Sequence, residues 1–239
     1  MPTRARLYIV CSDRPRNGKT LLARLIADWL EQEGERPLIV DLDGDKRDLA
    51  RHLPAAEVVN LQRTPERVAM FDAIVADSTR NVVMEVPASQ LARFLKEGET
   101  VGFFEAVRET GPVPLFLHVV DRGLESIRRA RALAERHPGL VRPVRNLAIG
   151  DMLDHEDAAA LYLDLFEQGE IVLPRLSRPA LDVVERPGFS FAAFMAGRLV
   201  VPSRRLEFEL RDVCSGIFEQ LRRLRLSLGF DDLRSMGLV

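Results

Sequence analysis

The amino-acid sequence predicts an α/β protein, with a mostly parallel sheet flanked by helices and a helical C-terminal extension. Short apolar segments of β-rich composition alternate with amphipathic helical patterns through the first 170 residues, as in strand–helix–strand units. Beyond that point prolines and glycines become frequent, and residues 204–228 form a long amphipathic helical pattern. We therefore expect a core at residues 1–170 and a helical region at residues 171–239 that packs on the core or contacts a partner.

The bulk composition is that of an ordinary globular protein. The chain has 239 residues, of which 46% are hydrophobic and 29% charged, enough for one α/β domain with an extension. Its net charge of -2 gives no whole-chain argument for nucleic acid or an anionic membrane. Cys11 and Cys214 lie far apart in apolar segments, which favours buried thiols over a disulfide or a zinc site. No stretch approaches the roughly 18 apolar residues of a membrane span, so we expect a soluble cytoplasmic protein.

The first four elements follow one another closely. Leu7 to Cys11 is a short apolar run typical of a buried parallel strand. A polar loop leads to a helix from Lys19 to about Glu33, whose apolar residues recur at three-to-four spacing. A second strand at Leu38–Leu42 precedes a polar turn and a short helix that ends at His52.

The alternation then continues. Thr64, Pro65 and Glu66 have the cap, first-turn proline and acidic residue of a helix start. The remaining predicted elements are a helix to about Asp77, a strand at Val82–Val86, a helix or broken pair over Ser89–Thr110, a strand at Val113–Val120, a helix at Leu124–His137, a strand at Leu140–Leu147, a helix from Asp154 to about Gln168 and a helix at Arg204–Leu228.

The loop between the first strand and the first helix has the last three positions of a phosphate-binding P-loop, Gly18, Lys19 and Thr20. Glycine lets the backbone approach phosphate, the lysine reaches the β- and γ-phosphates, and the threonine hydroxyl binds Mg²⁺. The tripeptide alone is common. Its place between an apolar strand and an amphipathic helix makes a Rossmann-like P-loop NTPase fold the favoured interpretation.

The start of the loop departs from the P-loop pattern. Asp13 stands where the first glycine is expected and would bring a negative charge towards an anionic ligand, and Pro15 removes an amide donor. Arg14 and Arg16 offer a remedy, since either arginine would pair with Asp13 or reach phosphate oxygens. The alternative for both arginines is a solvated position.

Acidic residues follow two of the predicted strands, at the edge where open α/β sheets bind ligands. Asp41, Asp43 and Asp45 provide oxygen ligands suited to magnesium, or they cap the next helix. Glu85 lies in the apolar run VVMEV, where a buried carboxylate needs a partner or a metal. Asp121 ends the most apolar strand, where it would face the site or, equally well, cap the next helix.

The segment Arg14 to Thr20 resembles the deviant Walker A loop of the ParA/MinD-type ATPases, with the family pattern K-G-G-x-G-K-T. Arg14 then falls on the signature lysine that contacts nucleotide across a dimer interface. Ile39–Asp43 is similar to the second-strand motif with its acidic residue for magnesium and the attacking water, and Val82–Pro87 to the Walker B strand. Asn146 sits where the family often has an asparagine near the adenine.

This resemblance implies ATP and Mg²⁺ as cofactors, and slow ATP hydrolysis that acts as a dimerisation switch. The candidate nucleotide-binding residues are Arg14, Arg16, Asn17, Gly18, Lys19, Thr20, Leu21 and Asn146. The candidate catalytic residues are Lys19, Asp41, Asp43 and Arg14, and the candidate metal ligands are Thr20, Asp41 and Glu85. Two alternatives stay open: a small-molecule kinase or ATP-dependent ligase on the same fold, and a nucleotide-binding interaction module without hydrolysis.

Other kinds of site receive little support. The histidines lack metal-binding spacing, and neither G-x-S-x-G nor G-x-G-x-x-G occurs. A basic stretch at Arg222, Arg223 and Arg225 is similar to a membrane-surface helix, but nearby acids favour packing on the core or on a protein partner. Contact with DNA or membrane is not indicated. We expect a homodimer, with a possible protein partner at the C-terminal helices.

Overall fold

A computed structural model describes residues 4–121, 123–150, 165 and 169–235. Its centre is a seven-stranded sheet in the order β3-β2-β4-β1-β5-β6-β7. The strands are β1 (Arg6–Cys11), β2 (Leu38–Asp41), β3 (Glu57–Val58), β4 (Val82–Glu85), β5 (Val113–Val120), β6 (Val141–Asn146) and β7 (Ile171–Leu173). All six pairings are parallel, so the predicted α/β fold with a parallel sheet is confirmed.

Helices cover both faces of the sheet. They are α1 (Lys19–Gln32), α2 (Asp48–His52), α3 (Thr64–Ala76), α4 (Leu91–Thr100), α5 (Phe103–Glu109), α6 (Leu124–Arg136), α7 (Arg178–Val184), α8 (Phe191–Met195) and α9 (Arg204–Ser235). In the described parts of the chain, every helix is too short or too polar to span a bilayer.

The strand β1 is buried along its whole length because it has a strand on each side and helices on each face. Its side chains alternate between two apolar layers, as the pleat of a strand requires. Tyr8 and Val10 pack with α1, α7, α8 and α9, whereas Leu7 and Ile9 pack with α3, α4 and α5. A continuous apolar run in the sequence therefore marks the centre of the sheet.

The long helix α9 is part of the core and lies along α1. Its buried side chains are Leu210, Val213, Cys214, Ile217, Phe218, Leu221 and Leu228. Arg225 lies 4.3 Å above the ring of Trp29 on α1. At the amino edge of the sheet, the guanidinium of Arg6 on β1 donates to Leu228 O at 3.2 Å and also pairs with Asp232.

The structure adds two strands that the sequence does not predict, and it decides between the two predicted forms of Ser89–Thr110. The segment Ser89–Thr110 is a broken pair, because Gly102 adopts a φ of 69° between α4 and α5. The sequence pattern does not predict β3 or β7, which have too few residues to show a period. Since β7 pairs with β6, the sheet continues into the region that the pattern predicts to be helical. The helix predicted from Asp154 to Gln168 lies outside the described residues, apart from Leu165.

Candidate functional site

The loop that joins β1 to α1 lies at the carboxyl edge of the sheet, between the ends of β4 and β5. The chain leaves β1 towards β2, whereas the later crossover from β4 to β5 passes to the opposite side of β1. Such a switch point leaves a crevice at the strand ends. Gly18 has a φ of 97° and immediately precedes α1, a conformation that favours glycine. The backbone thus turns directly from the loop into the first amides of a helix.

The loop is fixed to β5 and β6 by polar side chains. Ser12 Oγ donates to Val119 O at 2.7 Å, and Asn17 Nδ2 donates to the same carbonyl at 3.0 Å. Asn17 Nδ2 also contacts Ser12 Oγ. From the other side, Asn146 Nδ2 at the end of β6 donates to Asn17 O at 2.9 Å. Hydrogen bonds to β5 and β6 therefore fix the conformation of the loop.

Lys19 is directed into this loop. Its side chain is buried, and Nζ donates to Arg14 O at 2.8 Å and to Asn17 Oδ1 at 3.2 Å. Burial lowers the pKa of Lys19, while the negative charge of Glu85 opposes that change. Among the described residues both hydrogen-bond acceptors of this buried ammonium group are neutral, an arrangement suited to an anion that enters the loop.

Thr20 and Glu85 form the second polar pair of the site. Thr20 Oγ1 donates to Glu85 Oε1 at 2.8 Å, and Glu85 Oε2 is buried with no hydrogen-bond partner among the described residues. Burial raises the pKa of Glu85 to about 7, against the hydrogen bond from Thr20. A hydroxyl beside a carboxylate with an unsatisfied buried oxygen fits the ligand preferences of Mg²⁺.

Asp41 lies beside Glu85 in the sheet register, but both of its oxygens are engaged. Oδ1 accepts from Asp43 N at 2.9 Å and Oδ2 from Ala50 N at 3.0 Å. Burial raises the pKa of Asp41, and the amide of Ala50 opposes that rise. Asp43 in turn accepts from the amides of Asp45 and Lys46. These acids therefore shape the turn that leads into α2.

Asp13 points away from the loop, towards β5 and α6. Its side chain is only 3% exposed, and Oδ1 accepts a hydrogen bond from Ser126 Oγ at 2.6 Å. His118 Nε2 lies 3.6 Å from the same oxygen, and Arg129 Nη1 lies 3.9 Å from Oδ2. Burial by itself raises the pKa of Asp13, but the contacts with His118 and Ser126 outweigh it and hold the pKa at about 2. Asp13 is thus an internal carboxylate rather than a charge facing a ligand.

The two loop arginines are exposed. The Arg14 side chain is 53% exposed, with Nε 3.6 Å from Asp13 Oδ2 and 3.8 Å from Asp121 Oδ2. The Arg16 side chain has no hydrogen-bond or ion-pair partner among the described residues, and its backbone has a φ of 57°. Leu21 is half-buried in the first turn of α1 and packs on the core. The structure therefore leaves both guanidinium groups at the rim of the loop.

Four residues of this region are not among the site residues predicted from the sequence. Ser12, His118 and Ser126 carry no local motif, because their roles depend on β1, β5 and α6 meeting in space. Asp48 begins α2, and its charge acts on Lys19 and Glu85. Its acidic neighbours Asp41, Asp43 and Asp45 gave a signal in the sequence, but the return of α2 towards α1 did not. Within the described ranges, no group of three or more histidine, cysteine and acidic side chains is arranged as a metal site.

No family model matches the sequence, and no curated protein matches it. Among solved structures, the MinC:MinD cell division protein complex of Aquifex aeolicus is 18% identical with a TM-score of 0.44, over 88% of this chain and 95% of that chain. The MinD cell division protein of Aquifex aeolicus is 18% identical with a TM-score of 0.47, over 91% of this chain and 97% of that chain. Both structures contain MinD, and the likeness at 18% identity is one of fold alone.

Proposed function

We propose that this protein binds ATP with Mg²⁺ at the Asp13–Thr20 loop and hydrolyses it slowly, as a switch between monomer and homodimer. The observation that carries the proposal is the pairing of Thr20 with buried Glu85 at the start of α1, directly after a left-handed Gly18. A phosphate at this point would meet the amides of a helix N-terminus and a lysine already directed into the loop.

Each polar group has a separate role in this proposal. Lys19 would exchange its two neutral acceptors for phosphate oxygens, and this replacement stabilises the buried ammonium. Thr20 and Glu85 would hold magnesium, which neutralises phosphate charge when bound. Because the pKa of Glu85 lies at about 7, the carboxylate is most available to a cation above neutral pH.

The groups that would complete hydrolysis lie around this pair. Asp41 or Asp43 would order the attacking water, since phosphoryl transfer depends mainly on positioning and charge stabilisation. Arg14 lies at the rim, where its guanidinium is accessible to phosphate oxygens of its own site or of a second copy. Exposed Phe208, Leu226 and Phe230 on α9 would serve a protein partner that reads the bound state.

A specific observation favours a second candidate, a nucleotide-binding module without hydrolysis. Both oxygens of Asp41 are held by backbone amides, so ordering a water through Asp41 requires the turn before α2 to rearrange. Pro15 also leaves the loop one amide donor short. In this candidate the chain binds nucleotide and acts through protein contacts alone.

Binding and turnover of ATP with Mg²⁺ test the proposal, with molecular mass followed in the same samples by light scattering. We expect Lys19→Ala to weaken binding by about 10- to 100-fold, as the loss of a charge-assisted hydrogen bond predicts. Arg14→Ala is expected to abolish nucleotide-dependent dimers while the monomer still binds. Lys96→Ala and Arg36→Ala remove exposed charges elsewhere and are the matched controls.

The outcomes separate the candidates. Tight binding without turnover selects the module without hydrolysis. Turnover that needs an added small-molecule acceptor selects a kinase or ligase. Wild-type protein that binds no nucleotide at millimolar concentration refutes the proposal.

A further inference from the structure

We infer that Asn146 is a positioning residue for the phosphate loop, and that it acts on every phosphate ligand alike rather than through the base. The inference rests on the proposed function of the loop. It concerns what the β6 asparagine does in this chain, where its amide is buried and bonded to two backbone groups.

Both ends of the Asn146 amide have partners. Nδ2 donates to Asn17 O at 2.9 Å, and Oδ1 accepts from Ala148 N at 3.0 Å. The residue is buried, with 8% of its surface exposed. A side-chain amide reads a base through a donor and an acceptor on one accessible edge. Here the amide is buried, and the bonds to Ala148 N and Asn17 O orient it towards the turn after β6 and the loop.

The contact between Asn146 and Gly18 is equally close. A Cβ added to Gly18 would lie 2.5 Å from Asn146 Nδ2 and 3.7 Å from Leu173 Cδ1. The amide therefore packs directly on the glycine backbone, with β7 behind it. Leu147 N bonds to Leu173 O at 2.9 Å, so the last two strands back the loop as one hydrogen-bonded unit.

Asn17 transmits this support to the centre of the site. Its carbonyl accepts from Asn146, its Nδ2 donates to Val119 O, and its Oδ1 accepts from the Lys19 ammonium group. The same residue thus joins β5, β6 and the phosphate-binding lysine. Removing the Asn146 donor frees the Asn17–Gly18 peptide, whose orientation sets the loop amides that would face a phosphate.

Three ligands distinguish positioning from base contact: ATP, GTP and inorganic triphosphate, which has no base. For Asn146→Ala we expect binding of all three to weaken by the same factor, about 3- to 10-fold for one neutral hydrogen bond. Asn146→Ser keeps an oxygen that accepts from Ala148 N but cannot reach Asn17, and it should show the same uniform loss. Weaker ATP binding with unchanged triphosphate binding would overturn the inference.

Asn60→Ala is the matched control. Asn60 Oδ1 accepts from Gln62 N at 2.9 Å, which is the same two-residue turn as at Asn146, but its side chain has no bond to the loop. We expect this variant to bind all three ligands as wild type does. A comparable uniform loss of ligand binding in Asn60→Ala would show that weakening any turn at the carboxyl edge of the sheet has this effect. It would overturn a specific role for Asn146.

Hydrogen exchange without ligand gives a readout that does not depend on nucleotide binding. Peptides covering residues 12–20 should exchange faster in both Asn146 variants, by more than the change in global unfolding explains, and at the wild-type rate in Asn60→Ala. Unchanged exchange in this segment refutes the positioning role even if ATP binds. If the wild type binds none of the ligands, the proposed function fails. Faster exchange of residues 12–20 in the Asn146 variants would even then show that Asn146 holds the loop in place.

Discussion

Replacing Asp13 by asparagine tests whether the loop carboxylate is an internal anchor or a charge at the phosphate site. The substitution keeps the size of the side chain and the oxygen that accepts from Ser126, and it removes the negative charge. That charge lies 3.6 Å from both His118 Nε2 and Arg14 Nε and 3.9 Å from Arg129 Nη1. Since all these groups belong to the protein, we expect the substitution to act on stability.

The magnitude follows from the pKa of Asp13. The lowering of this pKa from 3.8 to about 2 corresponds to roughly 2 kcal/mol of stabilisation of the ionised carboxylate by the folded protein. Because the His118 nitrogen lies beyond hydrogen-bonding distance, we expect Asp13→Asn to cost about 1–2 kcal/mol at pH 7. The ionised Asp13 contributes this stability fully above about pH 4, and the contribution is lost as the pH falls to about 2.

Urea unfolding of both proteins at pH values from 7 to 2.5 measures the difference. The gap between wild type and Asp13→Asn should stay constant down to about pH 4 and then narrow. Asp121→Asn is the control, because its side chain is 31% exposed and lies 3.8 Å from Arg14, so its loss should stay below about 1 kcal/mol. Unchanged stability together with tighter ATP binding in Asp13→Asn would refute the anchor and place the carboxylate against the ligand.

Three further perturbations have clear expected results. Burial raises the pKa of Glu85 from 4.5 to about 7, so the ionised carboxylate destabilises the metal-free fold. In urea unfolding without metal, the free energy of unfolding of Glu85→Gln should therefore match that of wild type near pH 4.5 and exceed it by about 3 kcal/mol at pH 8. Equal stability of the two proteins at pH 8 would contradict this. Gly18→Ala should lower the free energy of unfolding by about 1–3 kcal/mol, because residue 18 has a positive φ and an added Cβ would clash with Asn146. Adding Asn146→Ala should relieve part of this loss, whereas fully additive losses in the double variant would contradict the clash. Arg225→Met should cost about 1 kcal/mol and change the fluorescence of Trp29, the sole tryptophan, whereas an unchanged spectrum would contradict the stacking.

The order of strands and helices was largely predictable because the physical cause is local. Complete burial of β1 requires an uninterrupted apolar run, and amphipathic helices show their period directly. The two edge strands were not predictable, since β3 has two residues and β7 has three, and pairing with a longer neighbour alone makes them strands. The broken pair at Ser89–Thr110 was one of two predicted forms, and the φ of 69° at Gly102 decides between them.

The candidate site divides in the same way. Gly18, Lys19 and Thr20 are adjacent in sequence, and their motif describes a local conformation. The direction of Asp13 depends on Ser126, 113 positions away, and no local pattern contains that information. The engagement of Asp41 depends on the amide of Ala50 after the chain turns into α2. The motif therefore predicts the local turn into α1, whereas the sequence gives no sign that Asp13 turns away from the loop towards Ser126.

The contact of Arg6 with α9 has a consequence for the order in which the chain can fold during synthesis. Arg6 and Asp232 are 226 positions apart. The strand β1 therefore leaves the ribosome long before the helix α9 that pairs with it. The partners of β1 also arrive in steps, first β4 and then β5, and Asn146 follows later. Long-range pairing of this kind slows folding, and a nascent chain that ends before α9 exposes the apolar face of α1 around Trp29. Ribosome-bound chains of increasing length should therefore acquire a protected loop only once α9 has emerged.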